Sequence, residues 1–496
     1  MIKNIQIMYF KRYYLYICGV MNKNIQFNLV SEELIIQRLQ FENPWWTSGQ
    51  PAEFFAPFEK RLQFSGFQEL VEETTIRRAV ILMGPRRVGK TVLMHQSIGN
   101  LLNQKIPPNQ IFYISIENPI YNYRGLEELF HLSLKASGNK DPKGCFLFFD
   151  EIQYLKDWEI HLKSLVDSYP YTKFIVSGSA SAALKLKSME SGAGRFTDFK
   201  LPPLSFREYL ALLRLDHLVE KVNNGNPVFP ISEFTSPNIQ ELNSQFINYI
   251  NFGGYPEVIF NKIIQSDSGR YIKSDIIDKV LLRDLPGLYG IRDVQELNSF
   301  FTTLAYNSGN ELSLESLSST SGVDKNLLKR YLEYLEAAFL IRILNRVDDT
   351  GKKFRRATFY KIYLTNPSLR SALFTPASPV DDSFGNMVET AIMSQLFYKD
   401  EIRPYYARWS QGKSNGEVDL VLLDELKLKP KYAVEIKWSN RYFEKPSELK
   451  SLSFFCKKNN LHSALVTTID KTGKKESGDL NLNFIPASLL AYSVSL

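Results

Sequence analysis

The chain has 496 residues, a formal net charge of +7, and 44% apolar and 23% charged side chains; this is a globular composition, too long for one core, and it predicts several domains. No run approaches the roughly 20 apolar residues of a membrane helix, which argues against a membrane partner, and a charge this dilute permits nucleic-acid contact without demanding it. Three scattered cysteines, Cys18, Cys145 and Cys456, and five histidines lack disulfide or zinc-ligand spacing, which argues against a disulfide scaffold or a His/Cys metal centre and fits a reducing cytoplasm.

Basic residues precede Tyr13–Val20, but that stretch is short, tyrosine-rich and without a small-residue cleavage site. It reads as part of a dispensable extension over residues 1–21 rather than a signal peptide. Leu29–Phe41 has the spacing of an amphipathic helix, and Asn43-Pro-Trp-Trp46 reads as an aromatic segment docked on the next domain. From about 55 to 205 helical patterns alternate with short apolar runs at Arg78–Met83, Ile111–Ile116, Cys145–Phe149 and Lys173–Ser177. Continuous apolarity marks strands buried on both faces, hence a parallel sheet flanked by helices.

Directly after the first strand come Gly84, Pro85, Arg86, Arg87, Val88, Gly89, Lys90 and Thr91, the full spacing of a phosphate-binding P-loop. Its glycines let backbone N–H groups turn toward phosphate oxygens, and the helix that follows adds its positive end. Lys90 is the expected bridge to the β- and γ-phosphates and Thr91 a ligand to Mg²⁺, so the implied ligands are ATP and Mg²⁺. About 60 residues on, the apolar strand from Cys145 ends in Asp150 and Glu151. Asp150 would hold Mg²⁺ through its water shell, and Glu151 would take a proton from the attacking water. A base beside the γ-phosphate also disfavours a kinase, which would lose ATP to water. The next strand ends in Ser177-Gly-Ser-Ala-Ser181, where Ser179, or alternatively Ser177, is placed to sense the γ-phosphate.

These segments, with Phe148-Phe-Asp-Glu-Ile-Gln153, Gly194-Arg195 and Leu204-Ser-Phe-Arg-Glu-Tyr209, together resemble a group of prokaryotic AAA-type ATPases that carry a C-terminal domain of unknown function. The resemblance continues through Phe252-Gly-Gly-Tyr-Pro-Glu257, Glu417-Val-Asp419 and Glu435-Ile-Lys437. It implies that an arginine completes the site, often from a neighbouring subunit, and Arg195 matches that place in the pattern. A second copy of the chain is therefore an expected partner.

Ser205 to about Asn310 is helical in periodicity, with a loop near Asn223–Pro237. Leu312–Gly322 then reads as a helix and turn, with Asp324 as N-cap of a helix over Lys325–Ala338. Phe339–Leu344 and Phe359–Leu364 can pair as a wing with Lys352, Lys353, Arg355 and Arg356 at its tip. This predicts a winged helix-turn-helix offering Lys325, Asn326, Lys329 and Arg330 to DNA. The remaining order, helix, three strands, helix, strand, resembles the core of the restriction-endonuclease-like fold. There Asp419 and Glu435, with Lys437 and with Glu389 from the first helix, form a candidate second Mg²⁺ site; Gln411 and Lys413 lie in the preceding hairpin.

The expected fold class is thus α/β, a P-loop NTPase sheet over residues 22–205. A helical domain over 206–310, a winged helix over 311–370 and a restriction-endonuclease-like αβββαβ domain over 371–496 follow. The expected function is Mg²⁺-dependent ATP hydrolysis coupled to a DNA-binding or nuclease-like module. A slow ATP-dependent switch that binds protein or DNA without cutting is the alternative.

Overall fold

The computed structural model describes residues 30–55, 57–178, 194–222, 234–353, 359–399, 402–411, 414–424 and 426–495. The expected positions Ser179, Arg355, Arg356 and Lys413 lie outside them.

Five strands build the first sheet: β1 (Ala79–Met83), β2 (Ile111–Ser115), β3 (Phe146–Asp150), β4 (Lys173–Gly178) and β5 (Phe196–Lys200). Their order is β2-β3-β4-β1-β5 and every pairing is parallel. β1, β3 and β4 are buried throughout, as their unbroken apolar sequences require. β5 has no unbroken apolar run in its sequence: Phe196-Thr-Asp-Phe-Lys200 is a partly exposed edge strand. β3 also begins one residue later than the apolar run, which makes Asp150 its last residue.

At the other edge, the aromatic segment closes the sheet. Asn43 donates to Tyr113 O at 2.8 Å and accepts from Tyr113 N at 2.6 Å, while the indoles of Trp45 and Trp46 both reach Ile111 O. Backbone groups of β2 that another strand would otherwise pair are thereby engaged by side chains.

A two-stranded ribbon, β6 (Glu220–Lys221) and β7 (Phe234–Thr235), precedes the second sheet. That sheet has nine strands in the order β15-β16-β14-β13-β12-β11-β9-β10-β8. They are β8 (Glu311–Ser313), β9 (Ile341–Val347), β10 (Phe359–Leu364), β11 (Pro404–Gln411), β12 (Ser414–Leu423), β13 (Pro430–Glu435), β14 (Ser463–Thr468), β15 (Gly473–Ser477) and β16 (Leu480–Pro486). The helices Leu314–Ser321 and Lys325–Ala337 lie between β8 and β9, and β9 pairs antiparallel with β10. On its other side β9 pairs in parallel with β11, Tyr405 opposite Asn345. The two units expected over 311–370 and 371–496 therefore share one mixed sheet. Hairpin pairing leaves turn signals in a sequence, whereas lateral pairing of strands some sixty residues apart leaves none.

The helical stretch after Ser205 divides between two cores. Phe206, Phe246 and Tyr249 pack with Met387 and Leu490. Leu281, Phe301 and Leu332 instead join Val80, Leu82 and Phe148 of the first sheet. Among the described residues no helix is long and apolar enough to cross a membrane.

Candidate functional site

The phosphate loop leaves β1 at Met83 and enters the helix Lys90–Asn103. Gly84 is sterically required: a Cβ there would stand 2.2 Å from the Leu201 carbonyl oxygen. Gly89 caps the helix at φ 96°, a left-handed conformation that glycine adopts without penalty. Lys90 is 5% exposed, and its ammonium donates to Gly84 O at 3.1 Å and Pro85 O at 2.8 Å. Burial lowers its pKa, against the nearby Glu151 and Asp150 carboxylates. The loop thus curls around a desolvated cation, which fits the cradle expected for a nucleotide.

Asp150 closes the site from β3. One carboxylate oxygen accepts both the Thr91 hydroxyl and the Tyr113 hydroxyl at 2.7 Å, and the other accepts from Ser177. An adjoining hydroxyl and carboxylate at a helix start are the hard-oxygen donors that Mg²⁺ takes together with phosphates, so Thr91 and Asp150 fit that ion. Because β4 lies between β1 and β3, Ser177 reaches Asp150 and also accepts from the Glu151 N–H at 3.1 Å. Glu151 sits at φ 55°, a strained backbone for a non-glycine residue, and its carboxylate accepts from the Gln153 amide. At the end of β2, Glu117 has its pKa raised by partial burial and then by Glu151 and Asp150.

The side chains of the two loop arginines are engaged by carboxylates of the later helical stretch. Arg86 forms a two-pronged ion pair with Asp284, and Arg87 reaches Glu257 at 3.3 Å and Asp275 at 3.2 Å. Arg195 lies away from the phosphate loop of its own chain. It precedes β5 beside Arg78, five residues before Met83 in the β1–β5 register, so it lies about 16 Å from the phosphate end at ~3.3 Å per residue. There it pairs with Asp167 at 2.6 Å.

The second constellation comes together on β12 and β13. Lys437 Nζ lies 2.9 Å from both Asp419 and Glu435, and the Ile436 N–H donates to Asp419 at 2.9 Å. Lys361, only 2% exposed, stands 2.9 Å from Glu389, 2.7 Å from Glu417 and 3.7 Å from Asp419. Burial opposes the Asp419 charge, but the two lysines prevail and lower its pKa. Burial and the neighbouring Asp419 raise that of Glu435, whose Oε2 has no hydrogen-bond partner. The Lys437 charge is thus claimed chiefly by Asp419. Two ammoniums thus engage the carboxylates of this cluster, and among the described residues no three His, Cys, Asp or Glu side chains form a group that could hold a metal ion. Lys325, Asn326, Lys329 and Arg330 are exposed on the helix Lys325–Ala337, with Lys325 3.1 Å from Glu315.

Tyr113, Glu117, Asp284 and Arg61, whose guanidinium donates to Val88 O in the loop, were not legible as site residues. Each reaches the site through tertiary packing, and none belongs to a spaced motif.

A family model described as an AAA domain matches residues 76–210, and one described as a domain of unknown function matches residues 243–380. An uncharacterized protein of Haemophilus influenzae is 25% identical over 337 residues, 66% of this chain and 76% of its own. Another, of Methanocaldococcus jannaschii, is 25% identical over 378 residues, 74% of this chain and 77% of its own. Among solved structures, the Walker-type ATPase of Pyrococcus abyssi aligns with 16% identity and a TM-score of 0.41, over 65% of this chain and 97% of its own. The Aeropyrum pernix ORC1 protein, solved in complex with DNA, aligns with 11% identity and a TM-score of 0.30, over 66% and 95%. With its parallel sheet and complete phosphate loop, the segment 76–210 is an AAA-type P-loop ATPase domain, and ATP is the ligand this site is built for.

Proposed function

We propose that the chain hydrolyses ATP with Mg²⁺ and uses the cycle to reposition its C-terminal half. The observation that carries this reading is the contact between Thr91 and Asp150 at 2.7 Å beside Glu151. Lys90 exchanges the Gly84 and Pro85 carbonyls for the β- and γ-phosphates. Thr91 and Asp150 hold Mg²⁺, which when bound offsets phosphate charge and polarises the γ-phosphoryl group. Glu151 accepts the proton of the attacking water, with Gln153 orienting its carboxylate. Ser177 aligns Asp150 with Glu151, and Ser179 remains the other candidate sensor. Arg195, on the far edge of its own sheet, serves the site of a second copy of the chain.

For the C-terminal half, a DNA-binding module is favoured over a nuclease. The exposed cations on the helix Lys325–Ala337 support phosphate contact, and Lys361 and Lys437 neutralise the acids that cutting would require. The ion pairs of Arg86 and Arg87 with residues 257–284 favour a switch in which ATP binding changes how the two halves engage.

The test is steady-state ATP hydrolysis with parallel nucleotide-binding measurements. Lys90→Ala should abolish tight ATP binding, and Glu151→Gln should bind ATP while losing at least about 100-fold in turnover. Normal hydrolysis by Glu151→Gln would remove it as the base.

A further inference from the structure

Arg61 is 7% exposed and Glu208 is 1% exposed, and together they form a buried fork behind the phosphate loop. Arg61 Nε and Nη2 donate to the two Glu208 oxygens at 2.6 and 2.9 Å. Its Nη1 donates to Val88 O at 2.8 Å, and Nη2 donates further to Pro202 O at 3.1 Å. Glu208 in turn accepts from the Leu62 N–H at 3.3 Å and the Ser205 N–H at 3.1 Å. Burial would raise the Glu208 pKa, but the Arg61 charge and hydrogen bonds reverse it, so the carboxylate stays ionised.

Of the two backbone carbonyls held by Arg61, one belongs to the loop and the other to the segment after β5 that packs against the start of the loop. Pro202 follows Leu201, whose carbonyl is the atom packed against Gly84. Val88 precedes Gly89, and the peptide between them is trans. In a planar trans peptide the C=O and the next N–H point in opposite directions. A guanidinium that pulls Val88 O to one side therefore turns the Gly89 N–H to the other, the side where the helix N-terminus presents its donors to phosphate. Arginine suits this task because its fork is rigid, permanently charged and able to bond several acceptors in fixed directions.

We infer that the Arg61–Glu208 pair is a positioning device for nucleotide: it orients the Gly89 N–H toward the β-phosphate while pinning the opposite wall of the loop at Pro202. Neither residue touches nucleotide. The inference rests on the P-loop reading above and deepens it. The motif Leu204-Ser-Phe-Arg-Glu-Tyr209 thereby has a role: it carries the anion that holds the arginine.

Three variants of the full chain test this: Arg61→Lys, Glu208→Gln, and the double variant Arg61→Met/Glu208→Leu, which removes both charges so that neither is left buried alone. ADP affinity is measured by calorimetry, alongside melting without nucleotide. The expected result is a loss of ADP affinity of at least about tenfold in the double variant and in Arg61→Lys, in protein that melts cooperatively without nucleotide. Unchanged ADP affinity in a folded Arg61→Lys or double variant overturns the inference. If wild type itself binds no ADP, the P-loop reading fails instead, and the inference falls with it. If single variants fail to fold, the double variant alone decides.

Discussion

Arg86 and Asp284 meet through two hydrogen bonds, Nε to Oδ2 at 2.7 Å and Nη2 to Oδ1 at 2.8 Å, tying the phosphate loop to a helix 198 residues away. Both side chains are mostly buried, at 15% and 12% exposure. A bidentate pair in such surroundings is stronger and more directional than a surface contact. Its location means that a triphosphate entering the loop meets a cation already claimed by a carboxylate.

Replacing Asp284 with Asn should therefore tighten ATP binding. The amide keeps the shape but removes a negative charge that repels phosphate and competes for Arg86. The expected gain is roughly three- to tenfold in affinity, up to about 1.4 kcal/mol, measured by titration with a fluorescent ATP analogue. Weaker binding in this variant would mean that Asp284 instead holds Arg86 in the productive orientation.

Ser177→Ala should lower turnover without abolishing binding. Ser177 links the buried Asp150 carboxylate to the Glu151 N–H, and its loss leaves that N–H as the remaining donor to Asp150 Oδ1. A destabilisation of ~0.5–1.5 kcal/mol is expected from losing one buried hydrogen bond, with turnover down about tenfold. Chemical denaturation and initial rates at saturating ATP measure the two effects.

The acid limb of stability should depend on Glu208. Its folded-state pKa lies below the ordinary 4.5, so the protein gains stability from its ionised form. That contribution is fully present above the unfolded value and is lost as pH falls through the lower folded value, about 1.4 kcal/mol for each unit of depression. Urea titrations from neutral to acid pH should show a shallower acid limb in Glu208→Gln than in wild type.

DNA binding, if carried by the helix Lys325–Ala337, should weaken as salt rises. Lys329→Ala/Arg330→Ala should reduce the slope of log affinity against log salt by roughly 1–2. A salt-independent or unchanged affinity points to another surface.

Supercoiled plasmid incubated with the protein, ATP and Mg²⁺ or Mn²⁺ should remain uncut, because Lys361 and Lys437 hold the acids of β12 and β13. Cutting that disappears in Asp419→Ala/Lys437→Ala would establish a nuclease and displace the binding reading.

Local chemistry was legible before any fold was known. The loop from Gly84 to Thr91 and the Asp150–Glu151 pair announce themselves because phosphate binding needs certain residue types at fixed spacing on one short segment. The buried strands show through their unbroken apolarity, and the αβββαβ order through its alternating elements. The folded chain alone decided which side chains meet across distance. It put Tyr113 and Ser177 on Asp150, turned Arg86 and Arg87 toward Asp284, Glu257 and Asp275, and carried Arg195 to the far edge of its sheet. It also set β9 against β11 and seated Lys361 among the acids of the second sheet. Such contacts depend on strand order and on how separate cores pack, and neither leaves a periodic trace in the neighbouring residues.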